Sequence, residues 1–200
     1  MAYLKNRDRK GVFCLEGLSG ICPISGRGVD LSERLSVEPA LIMFQKCSGV
    51  KFVWNQCLTV SSLEYGLKKS TLKKYSKYPI IYLSFHGKNG RIVLADGEVD
   101  LMRIAEIMEK RCYGKIVVVS SCNTLDVDSS IISAFLDTTK SLAICGYLDT
   151  TNWLKSALFE IMLFDVLQKY EYSKRGMRGI KKKVDEMLNG FNDLYFKIFY

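Results

Sequence analysis

Apolar runs too short to be helices alternate with longer segments of helical period along almost the whole chain, and this alternation restricts the fold more than any other feature. GVFCLEG (11–17), KFVWNQCLTV (51–60), PIIYLSFHG (79–87), KIVVVSSC (115–122) and SLAICGY (141–147) read as strands. Between them, 36–47, 61–78, 101–112, 129–140 and 151–172 read as helices. Pro39 falls in a first turn, where its missing N–H costs nothing, and Ser61 or Ser62 is the cap of the second helix. After the third strand, GRIVLADGEVDL carries Asp96-Gly97 between two alternating runs, a two-residue hairpin signal. Strands this continuously apolar are buried on both faces. The expected fold is therefore α/β: a mostly parallel sheet of five or six strands with helices on both faces, a three-layer sandwich.

Two hundred residues make one domain, 1–200, large enough to bury a core without disulfide staples. At its C-terminal end, Met177, Ile180, Val184, Met187, Phe191, Leu194 and Ile198 step by threes and fours. They predict an amphipathic helix within 173–200 that packs on the core, with a homodimer seam as the alternative use of the stripe. No run reaches the length of a membrane-spanning helix, and MAYLKNRDRKG lacks the apolar core of a secretion signal. The expectation is a soluble, cytoplasmic protein without a membrane partner.

Seven cysteines accompany one histidine, and no two cysteines have the close spacing of a metal knuckle, so neither a metal site nor a cofactor is expected. Cys14, Cys47, Cys57 and Cys145 fall in apolar runs and read as buried thiols of a reducing compartment. The net charge of +8 raises the question of nucleic acid. The basic residues, however, cluster at Lys68–Lys77 and Lys169–Lys183 without interleaved exposed-looking aromatics or a known reading motif, and solvated helix faces account for them.

In a parallel sheet, ligands and reacting groups collect beyond the carboxyl ends of the strands. The only histidine, His86, ends PIIYLSF and is followed by Gly87, and Cys122 ends KIVVVSS. If those strands are neighbours they lie about 4.8 Å apart, and a thiol and a base face each other across the top of the sheet. A lone histidine at a strand end is ordinarily structural; its pairing with a cysteine at the matching end favours catalysis. The Gly-rich stretch 17–28 matches neither dinucleotide nor P-loop spacing, and it reads as a rim of the cleft with Arg27 near the substrate.

An apolar strand ending in His-Gly, followed by one ending in a small residue and Cys, resembles the caspase-like cysteine peptidases of clan CD. The layout is most similar to small bacterial caspase-like and CHAT-like proteins, some of which serve in antiphage defence. The strand LAICGY and the turn into Trp153 resemble the region after the fifth caspase strand, so the resemblance covers residues 11–172. It implies His86 and Cys122 as a catalytic dyad, the N–H groups of Gly87 and Cys122 as the oxyanion hole, a protein or peptide substrate, and activation by a partner or small signalling molecule. Three departures limit it: Asn123 follows the cysteine where caspases have Arg-Gly, Ser120 stands where metacaspases have an aspartate, and no activation linker separates Cys122 from the next strand. The substrate-binding residues expected at the rim are Asp149, Ser120 and Arg27. Asp149, in a loop without arginine, predicts cleavage after a basic residue; its competing role is to cap the helix beginning near Thr151. The rival readings are a catalytically inactive interaction module and a nucleic-acid-binding protein.

Overall fold

A computed structural model describes residues 9–17 and 35–200. Arg27, Cys22 and most of the Gly-rich stretch lie outside the described residues. Five parallel strands form the centre: β1 (Val12–Glu16), β2 (Phe52–Gln56), β3 (Ile80–Ser84), β7 (Ile116–Ser120) and β8 (Ala143–Tyr147). A sixth, β9 (Phe196–Phe199), adds antiparallel to β8, giving the order β2-β1-β3-β7-β8-β9. The architecture is the expected one, a mostly parallel six-stranded α/β sheet between two helical layers.

Every residue of β1, β3 and β8 is buried, because each strand serves two cores. Val12, Cys14, Ile80 and Tyr82 point to one face, where α1 (Glu38–Ser48), α5 (Trp153–Gln168) and α6 (Lys174–Leu188) cover them. Phe13, Leu15, Ile81 and Leu83 point to the other, under α2 (Val60–Ser70), α3 (Leu101–Ile107) and α4 (Ser129–Thr139). This period-two division explains why the strands read as unbroken apolar runs.

Several boundaries differ from the sequence expectation. The 51–60 run stops at Gln56, because Thr59 turns to cap α2: its hydroxyl accepts from the Ser62 N–H while the Ser62 hydroxyl accepts from the Thr59 N–H. That helix ends at Ser70, and a short 3-10 turn, Lys73–Tyr75, replaces the rest. PIIYLSFHG is two strands, since the chain leaves the main sheet at Phe85. His86–Lys88 then forms β4, which pairs antiparallel with β5 (Arg91–Leu94), itself paired with β6 (Gly97–Asp100). The β5–β6 link uses no positive φ; Asp96 instead accepts a 2.8 Å bond from the Val60 N–H at the start of α2.

The predicted 173–200 helix ends at Leu188. Met177, Ile180 and Val184 do pack in the core, but Leu194 and Ile198 continue the stripe only by coincidence, because the chain turns back and enters the sheet as β9. Cys47 is a second correction: it is exposed on α1, whereas Cys14, Cys57, Cys112 and Cys145 are buried. No helix among the described residues is long and apolar enough to cross a membrane.

Candidate active site

Strands β3 and β7 are neighbours in register, with Ser84 opposite Ser120. The Phe85 N–H extends their ladder with a 3.1 Å bond to the Ser120 carbonyl. His86 and Cys122 each follow two residues beyond that serine pair, so the fold delivers both to the same edge. They line one cleft of about 150 Å³, together with Glu16, Gly17, Ser84, Phe85, Ser120, Ser121, Thr151, Trp153 and Ser156. His86 is exposed and Cys122 is half-buried.

The loop carrying Cys122 is fixed on three sides. Asn123 takes a left-handed φ of 53°, a conformation asparagine adopts more readily than most residues. Its N–H reaches the Asp149 carbonyl at 3.4 Å, and the Leu125 N–H reaches the Tyr147 carbonyl at 3.2 Å. From the hairpin side, the Gly90 N–H donates to the Asn123 carbonyl at 3.0 Å. Thr124 shares a 2.6 Å hydrogen bond with Ser121 and donates to the Cys122 carbonyl at 3.2 Å. The Asn123 position thus has a backbone reason that the sequence comparison with Arg-Gly could not supply.

Gly87 has a structural reason as well. A Cβ there would stand 2.3 Å from the Cys122 carbonyl oxygen, 2.3 Å from the Thr124 hydroxyl and 2.8 Å from the Ser121 Cβ. The glycine allows the hairpin to press against the cysteine loop. The Cys122 N–H has no backbone acceptor among the described residues, which leaves it available as a donor.

The Thr151 N–H points at the Cys122 sulfur from 3.5 Å. A backbone donor on sulfur holds the side chain in one orientation in the cleft. The structure adds this contact to the expected site, and spacing could not have announced it, since it joins loops after two different strands. Burial raises the Cys57 thiol to about 11 and the Cys112 thiol to about 12, and pushes the Cys14 and Cys145 thiols up as well.

Of the expected substrate-binding residues, Ser120 lines the cleft and Asp149 does not. Asp149 is exposed, and its carboxylate accepts from the Thr150 N–H at 2.6 Å. It is not the helix cap either: Asn152 caps α5 by accepting from the Lys155 N–H at 3.1 Å. The carboxylate that does reach the cleft is Glu16, at the end of β1, which was not anticipated. Only 4 % exposed, it accepts from the Val37 N–H (2.7 Å), the Ser36 hydroxyl (2.7 Å) and the Trp54 indole N–H (2.6 Å). Burial raises its pKa, and these three donors act in the opposite direction.

A second buried carboxyl, Glu160, lies one helical turn below the cleft residue Ser156. The Tyr82 hydroxyl donates to its Oε2, and the Ser120 and Tyr147 hydroxyls also face the carboxyl group. No cluster of three or more metal-ligating side chains occurs among the described residues.

Comparison with curated proteins finds no match. Residues 9–200, the two-core sheet and the His86–Cys122 edge included, match the model of a family of unknown function (DUF6642), and the chain belongs to that family.

Proposed function

We propose that this protein is a cysteine endopeptidase working through a His86–Cys122 dyad. The observation that carries the reading is the register: a base and a thiol each two residues beyond a paired serine, on neighbouring parallel strands, lining one cleft. In this reaction the Cys122 thiol gives its proton to His86 as the sulfur attacks the scissile carbonyl carbon, and the carbonyl electron pair moves to oxygen. The Gly87 and Cys122 N–H groups are the donors for that oxyanion, each worth about 3 kcal/mol in such a role. Collapse expels the amine, which takes a proton from the His86 imidazolium and leaves an acyl thioester on Cys122. Water then adds to the thioester, giving its proton to His86, and the carboxylic acid departs as the thiol re-forms.

The Thr151 N–H supports the reading as a donor aimed at the sulfur that would become anionic in the reaction. The resemblance to clan CD peptidases supports it independently, through the His-Gly and Ser-Cys strand ends. The test is mass-spectrometric profiling of peptides cut from a complex peptide library, with and without cell extract to supply an activator. Cleavage that disappears in Cys122→Ala and falls about 10³-fold or more in His86→Ala is the expected result. No cleavage beyond that of Cys122→Ala under either condition overturns the proposal in favour of a catalytically inactive interaction module.

A further inference from the structure

We infer that the cleft selects a cationic side chain next to the cleaved bond, with Glu16 as the carboxylate that recognises it. The inference rests on the peptidase reading and gives that site its substrate class.

Glu16 is the last residue of β1, which lies beside β3 and therefore beside the strand that delivers His86. It is among the residues lining the cleft and is 4 % exposed in all. All three of its hydrogen-bond donors are neutral, and no basic side chain pairs with it among the described residues. A buried carboxylate without a counter-charge is costly, and proteins ordinarily avoid one unless it has a partner. Here the three donors fix the carboxylate in one orientation. An ionised carboxylate can accept about four hydrogen bonds. Oε2 takes two and Oε1 takes one, so Oε1 has a site left for a donor entering from the cleft.

The rest of the lining fits a long basic side chain. Phe85 and Trp153 offer apolar surface to an aliphatic stem, and the Ser84 and Ser120 side chains add polar groups near the head. Glu160, one helical turn along α5 from the cleft residue Ser156, is a second buried carboxyl near the site. An acidic side chain would bring two carboxylates together in a poorly solvated site, and so would be rejected. Glu16, without a basic partner among the described residues, is thus a carboxylate that a cation would complete.

The test uses the full chain and peptidyl chloromethyl ketones ending in Arg, Lys, norleucine or Asp. The thiolate displaces chloride to form a thioether, so labelling at Cys122 is read by mass spectrometry, with exposed Cys47 as the internal background. Arg and Lys probes should label Cys122 about 10-fold or more faster than norleucine, with Asp slowest, and added salt should narrow the ratio. Glu16→Gln should bring the Arg-to-norleucine ratio close to one, whereas Asp149→Asn should leave it as in the parent. If Glu16→Gln does not fold, the parent's ratio and its salt dependence decide. Equal labelling by Arg and norleucine probes overturns the cation preference alone, and collapse of the ratio in Asp149→Asn overturns the assignment to Glu16. If no probe labels Cys122 faster than Cys47, the nucleophile assignment fails and the inference fails with it.

Discussion

Gly87 stands so close to Cys122 that a methyl group on its α-carbon would lie 2.3 Å from the Cys122 carbonyl oxygen. The hairpin that begins with His86 and the loop that carries the thiol are therefore packed backbone to backbone. Position 87 thus sets how closely the hairpin beginning with His86 approaches the Cys122 loop.

Gly87→Ala should consequently damage the site even though alanine is small. The clash involves a backbone carbonyl and the hydroxyl of Thr124, which is itself buried and bonded to Ser121, so neither gives way freely. Overpacking of this kind costs about 1–3 kcal/mol. Chemical denaturation should show that loss, and alkylation of Cys122 should change in rate. Parent-like stability and labelling would mean that the loop yields without cost.

Cys122 and Cys47 should be the described thiols that iodoacetamide reaches under native conditions, and their dependence on His86 should differ. Cys47 is exposed on α1, far along the chain from the dyad, whereas Cys122 shares its cleft with the imidazole. His86→Ala should slow alkylation of Cys122 several-fold and leave Cys47 unchanged. Cys14, Cys57, Cys112 and Cys145 should label only on unfolding, because burial raises all four thiols. Peptide mapping after timed quenching gives each rate; equal slowing at Cys47, or none at Cys122, would contradict the pairing.

The central strands were legible in the sequence because burial on both faces leaves a continuous apolar run, and the strand-end positions of His86 and Cys122 follow from those runs directly. Glu16 was not legible. A glutamate at a strand end usually faces water, and its burial here depends on Ser36, Val37 and Trp54, residues from two later segments. The exit of the chain from the main sheet at Phe85 was hidden for a related reason: no proline or positive φ marks it, and β4 begins one residue later. Cys47 misled because an apolar run on an amphipathic helix places some of its members outside, as it does Ile42 and Met43. The β9 strand misled because its residues happened to continue a three-and-four spacing past the end of α6.

Phe196→Ala tests that last correction. The Phe196 ring packs edge-on against Tyr147 at 5.1 Å and Phe159 at 4.9 Å, tying β9 to β8 and α5. Removing a ring so enclosed should cost about 3–5 kcal/mol. Tyr200→Ala, at an exposed position one residue beyond the strand, should fall within about 0.5 kcal/mol of the parent. Comparable, small losses in both variants would mean that the strand contributes little to the fold.

Glu160 should make the protein less stable as pH rises from about 5 to 8. The carboxyl is 1 % exposed, and burial raises its pKa to about 7 against the Tyr82, Ser120 and Tyr147 hydroxyls, which act to lower it. In the unfolded chain the same group titrates near 4.3. Between those values the folded state holds a proton that the unfolded state has lost, so raising the pH draws the equilibrium toward unfolding. The stability is fully present below the unfolded pKa, falls through the interval and levels off above about 7. The span corresponds to a loss of about 4 kcal/mol. Glu160→Gln keeps an acceptor for the Tyr82 hydroxyl but cannot ionise, so its stability should decline less over the same range. The buried Glu16, also raised, remains in both proteins, and the difference between them isolates Glu160. Urea denaturation at pH 5, 6, 7 and 8 provides the comparison. Parallel curves for parent and variant would show that Glu160 keeps an ordinary carboxyl pKa despite its burial.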